Sequence, residues 1–317
     1  MLARPVDAMP RRPDLQYDAK WDGYRAILFA RVDGPYLQAR NGSDMGPSFP
    51  EITRAAAELA GPGTVVLDGE LVVREGGRLD FALLQTRYRR HGRAAAEAAV
   101  RNPAHLIVFD VLQLDQEVLV TCPLRGRRAL LEDLFTGRSL EPPWTLCPTT
   151  TDPDLAREWL DPAWAAVGVE GVVAKPLGMG YQPSKRGWYK LRSRASADAV
   201  IGAVIGPPAS PASVLLGRYD QDGRLRLVAR STPLSAPLRR ELGVVLAAAS
   251  PGHPWWEVTF SAGWGTRDVL EHRCVQPVNV LEFEGDSAVD EGRYRHPVKA
   301  RRLRHDLTIE EVPLFGE

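Results

Sequence analysis

The chain predicts an α+β fold in two parts, an antiparallel-sheet domain over residues 1–194 followed by a β-barrel domain over residues 195–317. Its 317 residues, 44% of them hydrophobic and 25% charged, are enough to bury two separate cores. Up to Arg192, apolar strand-like runs bounded by Gly, Asp or Pro turns alternate with Ala- and Glu-rich helical stretches. Beyond it the texture changes to short β-like runs around one helix.

Leu15 to Leu37 reads as strand, turn, strand, turn, strand, with Asp22-Gly23 and Asp33-Gly34 as hairpin signals and an antiparallel sheet beginning there. Pro50 to Leu59 reads as a helix that Gly61-Pro62-Gly63 stops, and Thr64 to Val73 then runs as a buried strand. Leu106 to Leu112 is another such strand. Arg125 to Leu134 and Asp154 to Trp164 carry apolar residues at helical spacing, with Asp152 or Asp154 available to cap the second. In the second part, Val200-Ile205, Val214-Tyr219, Leu225-Val228, Trp256-Phe260 and Val278-Phe283 are β-like, with a helix at Leu238 to Ala248 between the third and fourth. Five strands with one interposed helix suit an OB-type barrel, a fold that commonly binds nucleic acid, although a small β-sandwich shares the pattern.

Composition narrows the function classes. With 40 Lys and Arg against 40 Asp and Glu the formal charge is zero, so a hold on nucleic acid has to come from a local basic face. Cys122, Cys147 and Cys274 are scattered, without a C-x-x-C pair, so neither a zinc site nor a disulfide framework is expected and a reducing cytoplasm fits. The start, Met-Leu-Ala-Arg-Pro, lacks the apolar core of a signal peptide. The longest uncharged run, Ala199 to Gly217, is broken by Pro207, Pro208 and Pro211, so no membrane span is expected. There is no Gly-x-x-x-x-Gly-Lys loop, which excludes an ordinary P-loop ATPase.

The chemistry concentrates around Lys20, in Tyr17-Asp18-Ala19-Lys20-Trp21-Asp22-Gly23-Tyr24-Arg25. A lysine amine is a nucleophile only after losing its proton, and burial beside other cations favours that state. An exposed lysine ahead of a hairpin turn gives the same local pattern. Four later segments bear on the choice: Leu67-Asp68-Gly69-Glu70, Val108-Phe109-Asp110, Glu170-Gly171-Val172-Val173-Ala174-Lys175 and Trp188-Tyr189-Lys190-Leu191-Arg192. Each sets a charged or aromatic group at the end of an apolar, β-rich run. Lys190 and Arg192, two apart on one strand, share a face, whereas Glu170 and Lys175 face opposite ways unless a bulge intervenes. Asp110 points away from Phe109, to cap a turn or to sit near a metal.

In this order the five segments resemble the motifs of the covalent nucleotidyltransferases, the superfamily of ATP-dependent DNA ligases, RNA ligases and mRNA capping enzymes. Asp80-Phe81-Ala82-Leu83-Leu84-Gln85-Thr86-Arg87, Gly180-Tyr181-Gln182-Pro183-Ser184-Lys185-Arg186-Gly187-Trp188 and Leu215-Leu216-Gly217-Arg218-Tyr219-Asp220 are similar to the small bacterial ATP-dependent DNA ligases and to the ligase module of bacterial end-joining enzymes. The likeness covers nearly the whole chain. It implies a nucleotidyltransferase (adenylation) domain followed by an OB-fold domain. It also implies that Lys20 attacks ATP to form a lysine–AMP intermediate, that AMP passes to the 5′-phosphate of a nick, and that the 3′-hydroxyl then displaces it.

The same resemblance implies the remaining roles. Asp22 belongs to the catalytic group with Lys20, and Lys190 and Arg192 bracket the α-phosphate. Asp18 lies beside the adenine, Phe109 stacks on it, Arg25 and Glu70 reach the ribose, and Lys175 and Arg186 join the nucleotide-binding set. Arg40, in Ala39-Arg40-Asn41-Gly42, touches nucleotide phosphate or the nick 5′-phosphate. Glu170, with Glu70, holds Mg²⁺ or Mn²⁺. Arg304 and Asp306 orient pyrophosphate with help from Arg301 or Arg302, a basic stretch that serves equally to hold DNA phosphates. The implied partners are nicked duplex DNA and a repair polymerase or end-binding protein, with the enzyme a monomer.

Three positions depart from the family pattern: Asp18 for glutamate, Arg192 for lysine and Leu307 for lysine. RNA ligation, GTP-dependent capping, and a nucleic-acid-binding module with a dead nucleotidyl site are the alternatives to DNA joining.

Overall fold

The computed structural model describes residues 1–61, 63–261 and 268–316, so Pro62 of the expected helix stop lies outside the described residues. The chain divides into two compact units, Met1–Ser193 and Arg194–Glu317.

The first unit is built on two antiparallel-dominated sheets. One has five strands in the order Leu2–Pro5, Arg186–Arg192, Val169–Pro176, Leu15–Trp21, Thr149–Thr150. The other runs Tyr36–Ala39, Tyr24–Arg31, Thr64–Glu75, Ala104–Leu114, Glu117–Val118, with Arg78–Leu79 and Trp144–Leu146 as short side strands. Alternation along the strands sorts the side chains. Ala26, Leu28 and Ala30 pack with Ile52, Ala56, Leu59, Leu84 and Leu131 of the covering helices. Ile27 and Phe29 instead join Val66, Leu112, Trp188 and Val173, a cluster that draws on both sheets.

The expected hairpin at Asp22-Gly23 does not form. Leu15–Trp21 belongs to one sheet and Tyr24–Arg31 to the other, so these two residues carry the chain across. Gly23 is required by close approach: a Cβ there would lie 2.3 Å from the Leu71 carbonyl oxygen. An Asp-Gly pair cannot by itself distinguish a turn within a sheet from a step between sheets.

Helices form at Pro50–Ala60 and Leu124–Gly137, where apolar spacing predicts them. The stretch Asp154 to Trp164 is instead two pieces, the helix Pro153–Glu158 and a 3₁₀ segment Pro162–Val167. Pro162 cannot continue the first, and Asp161 accepts from the Ala163 amide at 2.9 Å to start the second. Asp152 caps Pro153–Glu158 through the Asp154 amide at 2.8 Å. Asp110 does not cap a turn: it is buried in a two-bond ion pair with Arg127, both bonds 2.8 Å. That pair fastens the helix Leu124–Gly137 to the sheet, and the Arg127 guanidinium also donates to the Cys122 carbonyl at 2.6 Å.

The second unit is an antiparallel sheet of Leu225–Arg230, Ser213–Tyr219, Arg194–Ile205, Val280–Asp286 and Lys299–Leu303, with Arg273–Cys274 alongside. Its edges meet where Val298 donates to the Arg230 carbonyl at 2.9 Å and Thr232 donates to the Val298 carbonyl at 2.7 Å, closing the OB-type barrel. Ala236–Val245 is the interposed helix. Trp256-Phe260 is not one of the barrel strands. That stretch is mainly turn, with only Phe260–Ser261 extended, because Trp255 is drawn into the core and its Nε1 donates to the Leu225 carbonyl at 2.7 Å. The place is taken by Lys299–Leu303, whose charges hide it from apolar-run reading and are matched across the strand pair, Arg302 with Glu282 at 2.7 Å and Arg301 with Glu284. Among the described residues no helix is long and apolar enough to cross a membrane.

The strand Val169–Pro176 carries an irregularity with chemical consequences. Val169 pairs with Trp21 and Val172 with Ala19, so Glu170 and Gly171 together oppose Lys20, a β-bulge. Gly171 sits at φ +143°, and a Cβ there would lie 2.2 Å from the Leu191 carbonyl oxygen. Gly171→Ala is expected to destabilise the protein by roughly 2–4 kcal/mol. A denaturant midpoint equal to that of the wild type would show that the bulge does not depend on this glycine.

Candidate active site

The bulge brings Glu170 to Lys20, and the Lys20 Nζ donates to Glu170 Oε1 in a largely buried ion pair. The nearest partner of the proposed nucleophile is therefore a carboxylate and not the cations expected from the sequence. The extra residue also re-phases the strand, so that Glu170 meets Lys20 while Lys175 lines the cavity that Lys20 also lines.

That pocket is a cavity of about 110 Å³ lined by Lys20, Asp18, Arg25, Glu70, Phe109, Lys175, Trp188 and Lys190. With Ala3 of Leu2–Pro5 also lining it, seven of the strands described above converge on it. Register explains the convergence: Arg25 lies opposite Glu70, Asp18 opposite Val173, and Val173 opposite Lys190. A larger cavity of about 580 Å³ meets it at Arg25, floored by Ile27, Phe29, Val66 and Leu112, with Arg40 and Gln38 also lining it.

Most of the pocket's charges are already paired. Arg25 binds Asp68 through Nε at 3.0 Å and Nη2 at 2.6 Å, and Tyr181 donates to the same carboxylate at 2.8 Å. The Asp68 partner of Arg25 is fully buried. Lys175 pairs with Asp18 at 2.5 Å, and its Nζ lies 4.3 Å from the ring centroids of both Phe109 and Trp188. Asp18 also accepts from Gln16 at 2.8 Å and Thr149 at 3.0 Å. Asp18 thus reaches the pocket, but as a tethered carboxylate. Lys175 stands over the Phe109 ring and the Arg25 guanidinium carbon lies 5.6 Å from its centroid.

Two groups carry opposite electrostatic tension. Burial pushes Glu70 up to about 8, more than Lys20 and Arg25 pull it down, with Glu170 and Asp22 adding to the rise. Burial lowers Lys190, and the charges of Arg192, Lys20 and Arg40 lower it further against the opposing pull of Glu170. Lys190 thus feels the charges of both Arg192 and Arg40. Asp22 acts on Glu70 in the same way, and its amide donates to the Gly168 carbonyl at 3.1 Å.

Other expected residues lie elsewhere. Arg186 is exposed at the start of its strand and is not among the residues lining the Lys20 cavity. In the second unit Arg304 and Asp306 bind each other at 2.9 and 2.8 Å, which holds the Asp306 carboxyl down to about 2. Trp188, Tyr181 and Asp68 were not singled out for the site. Their signal is present in Asp68-Gly69-Glu70 and Gly180-Tyr181, but only the fold shows that Asp68 and Tyr181 close on Arg25.

A family model for the ATP dependent DNA ligase domain matches residues 1–192. DNA ligase C of Mycobacterium tuberculosis is 34% identical over 96% of this chain and 89% of its own length. The multifunctional non-homologous end joining DNA repair protein LigD of the same organism is 32% identical over 93% of this chain and 37% of LigD. Among solved structures, a mycobacterial DNA ligase D complexed with ATP and MES shares 27% identity with a TM-score of 0.51, covering 99% of this chain and 98% of that one.

Because Glu70 keeps its proton in the fold up to about pH 8 while an unfolded glutamate loses it near 4.5, the folded state binds the extra proton between those values. Stability from this group is therefore lost as pH rises through that window. Glu70→Gln should remove the loss, the gap from wild type widening by a few kcal/mol between about pH 5 and about pH 8.5. Parallel pH–stability curves for the two proteins would refute the assignment.

Proposed function

The chain belongs to the ATP-dependent DNA ligase family, and from that premise we propose how its residues divide the work of joining a nick. It is an enzyme that seals DNA strands at the expense of ATP. The observation that carries the division of roles is that Lys20, Glu70 and Lys190 line one small cavity, with Glu170 paired to Lys20 at its edge.

Lys20 attacks the α-phosphorus of ATP, a P–N bond forms, the bond to the β-phosphate oxygen breaks, and pyrophosphate leaves. Glu170 aligns the amine for this step through its ion pair. Lys190 and Arg192 lend positive charge to the α-phosphate, with Arg40 nearby in the electrostatics of Lys190. Glu70 and Arg25 frame the ribose, and Phe109, Asp18 and Lys175 form the side where the adenine would lie. The 5′-phosphate of the nick then takes AMP from Lys20, and the 3′-hydroxyl displaces AMP to leave a phosphodiester. Arg304 and Asp306 take the pyrophosphate-orienting role, and Arg186 contacts the nucleotide only from its exposed strand end.

The donor set fits a hard divalent ion. Glu170 Oε2 is buried without a hydrogen-bond partner, and Glu70 is short of counter-charge. Such an ion takes one or two carboxylates and completes its shell with phosphates and water. Held by Glu170 and Glu70, Mg²⁺ or Mn²⁺ supplies positive charge against the phosphates. The likeness to LigD, named for non-homologous end joining and DNA repair, supports a role in DNA repair, and we propose a cytoplasmic monomer that works there with a polymerase or end-binding protein.

Lys20→Ala is expected to abolish transfer of label from α-labelled ATP to the protein and to leave no sealing of a nicked duplex with ATP. Label retained at the wild-type level would remove Lys20 from the mechanism. Offering GTP in place of ATP separates this reading from capping, since only ATP should give the adduct. Lys190→Ala should slow adduct formation at least tenfold while Lys20 is intact; an unchanged rate would take Lys190 off the α-phosphate.

A further inference from the structure

Arg304 is held on both edges of its guanidinium. Nε and Nη2 donate to Asp306 at 2.9 and 2.8 Å, and Nη1 donates to both oxygens of Asp198 at 3.0 Å each. Glu282 stands 3.9 Å from the same Nη1. The two carboxylates differ in character. Asp306 lies in an exposed turn, with 63% of its side chain open, whereas Asp198 lies inside the sheet strand Arg194–Ile205, paired in register with Glu282.

We infer that Asp198 is a positioning residue of the first step: it anchors the inner edge of Arg304 so that the outer edge, now on Asp306, is kept aimed at the anion it must meet. An arginine has many rotamers to lose, and its fork gains most when its direction is fixed beforehand. The backbone adds to the aim, since the Arg304 amide donates to the Val280 carbonyl at 2.8 Å. An incoming anion can exchange with the solvent-facing Asp306 while Asp198 keeps the guanidinium in place. The inference rests on the reading of Arg304 as the residue that meets pyrophosphate.

The test uses the full chain and separates the steps. Adduct formation from α-labelled ATP with Mg²⁺ or Mn²⁺ reads the first step, and sealing of a pre-adenylated nicked duplex without ATP reads the last, where no pyrophosphate takes part. Asp198→Asn should slow adduct formation about tenfold and leave sealing within about twofold, with Asp198→Glu recovering part of the loss. If Asp198→Asn forms the adduct at the wild-type rate while Arg304→Ala is slowed, the positioning role is overturned and the role of Arg304 stands. An equal fall in both steps, or a loss that Asp198→Glu does not relieve, assigns Asp198 to stability and overturns the inference. If Arg304→Ala itself forms the adduct at the wild-type rate, both readings fail.

Discussion

A single extra residue in the strand Val169–Pro176 sets the chemistry of the first unit. Without the bulge, regular alternation would turn Glu170 and Lys175 to opposite faces. With it, Glu170 meets Lys20 and Lys175 still reaches Asp18, so one strand supplies both a carboxylate for the nucleophile and a cation for the far wall. The cost is a backbone shape at Gly171 that only glycine accommodates, pressed against the neighbouring strand that bears Lys190 and Arg192. Local strain and catalytic layout are thus two aspects of one feature.

Inside the pocket the charges are sorted in advance. Lys20 has Glu170, Lys175 has Asp18 and Arg25 has Asp68. Buried pairs of this kind contribute little net stability but define orientation, because neither partner can turn away without leaving the other uncompensated. Glu70 and Lys190 are treated differently, both disfavoured in their charged forms by burial. They are the groups with most to gain from a ligand that brings both phosphate charge and a cation, and that gain is available only when substrate is bound.

Much of this was legible in the chain. Strong apolar periodicity placed Thr64–Glu75, Ala104–Leu114 and the helix Leu124–Gly137 within a few residues, and ordered motifs named the charged residues that line the pocket, with Phe109. What escaped depends on pairing between distant segments. Asp22-Gly23 looks like a hairpin because a turn signal says nothing about which sheet the next strand enters. Lys299–Leu303 looks like a basic tail because its matching Glu282 and Glu284 lie on another strand. Trp256-Phe260 looks like a strand because burial of Trp255 is a tertiary event. The Asp18–Lys175 pair joins residues remote in sequence, and neither residue announces the other.

The self-neutralised arginines of the strand Lys299–Leu303 bear on how the enzyme behaves toward its polyanionic substrate. A cation already matched by a glutamate displaces few condensed counterions when it nears a backbone phosphate, since part of its field is spent at home. With zero formal charge overall, attraction to duplex has to arise from a local grouping of cations elsewhere on the surface. This strand's own share of the grip on duplex then varies gently with ionic strength, so what it lends the enzyme is shape more than charge.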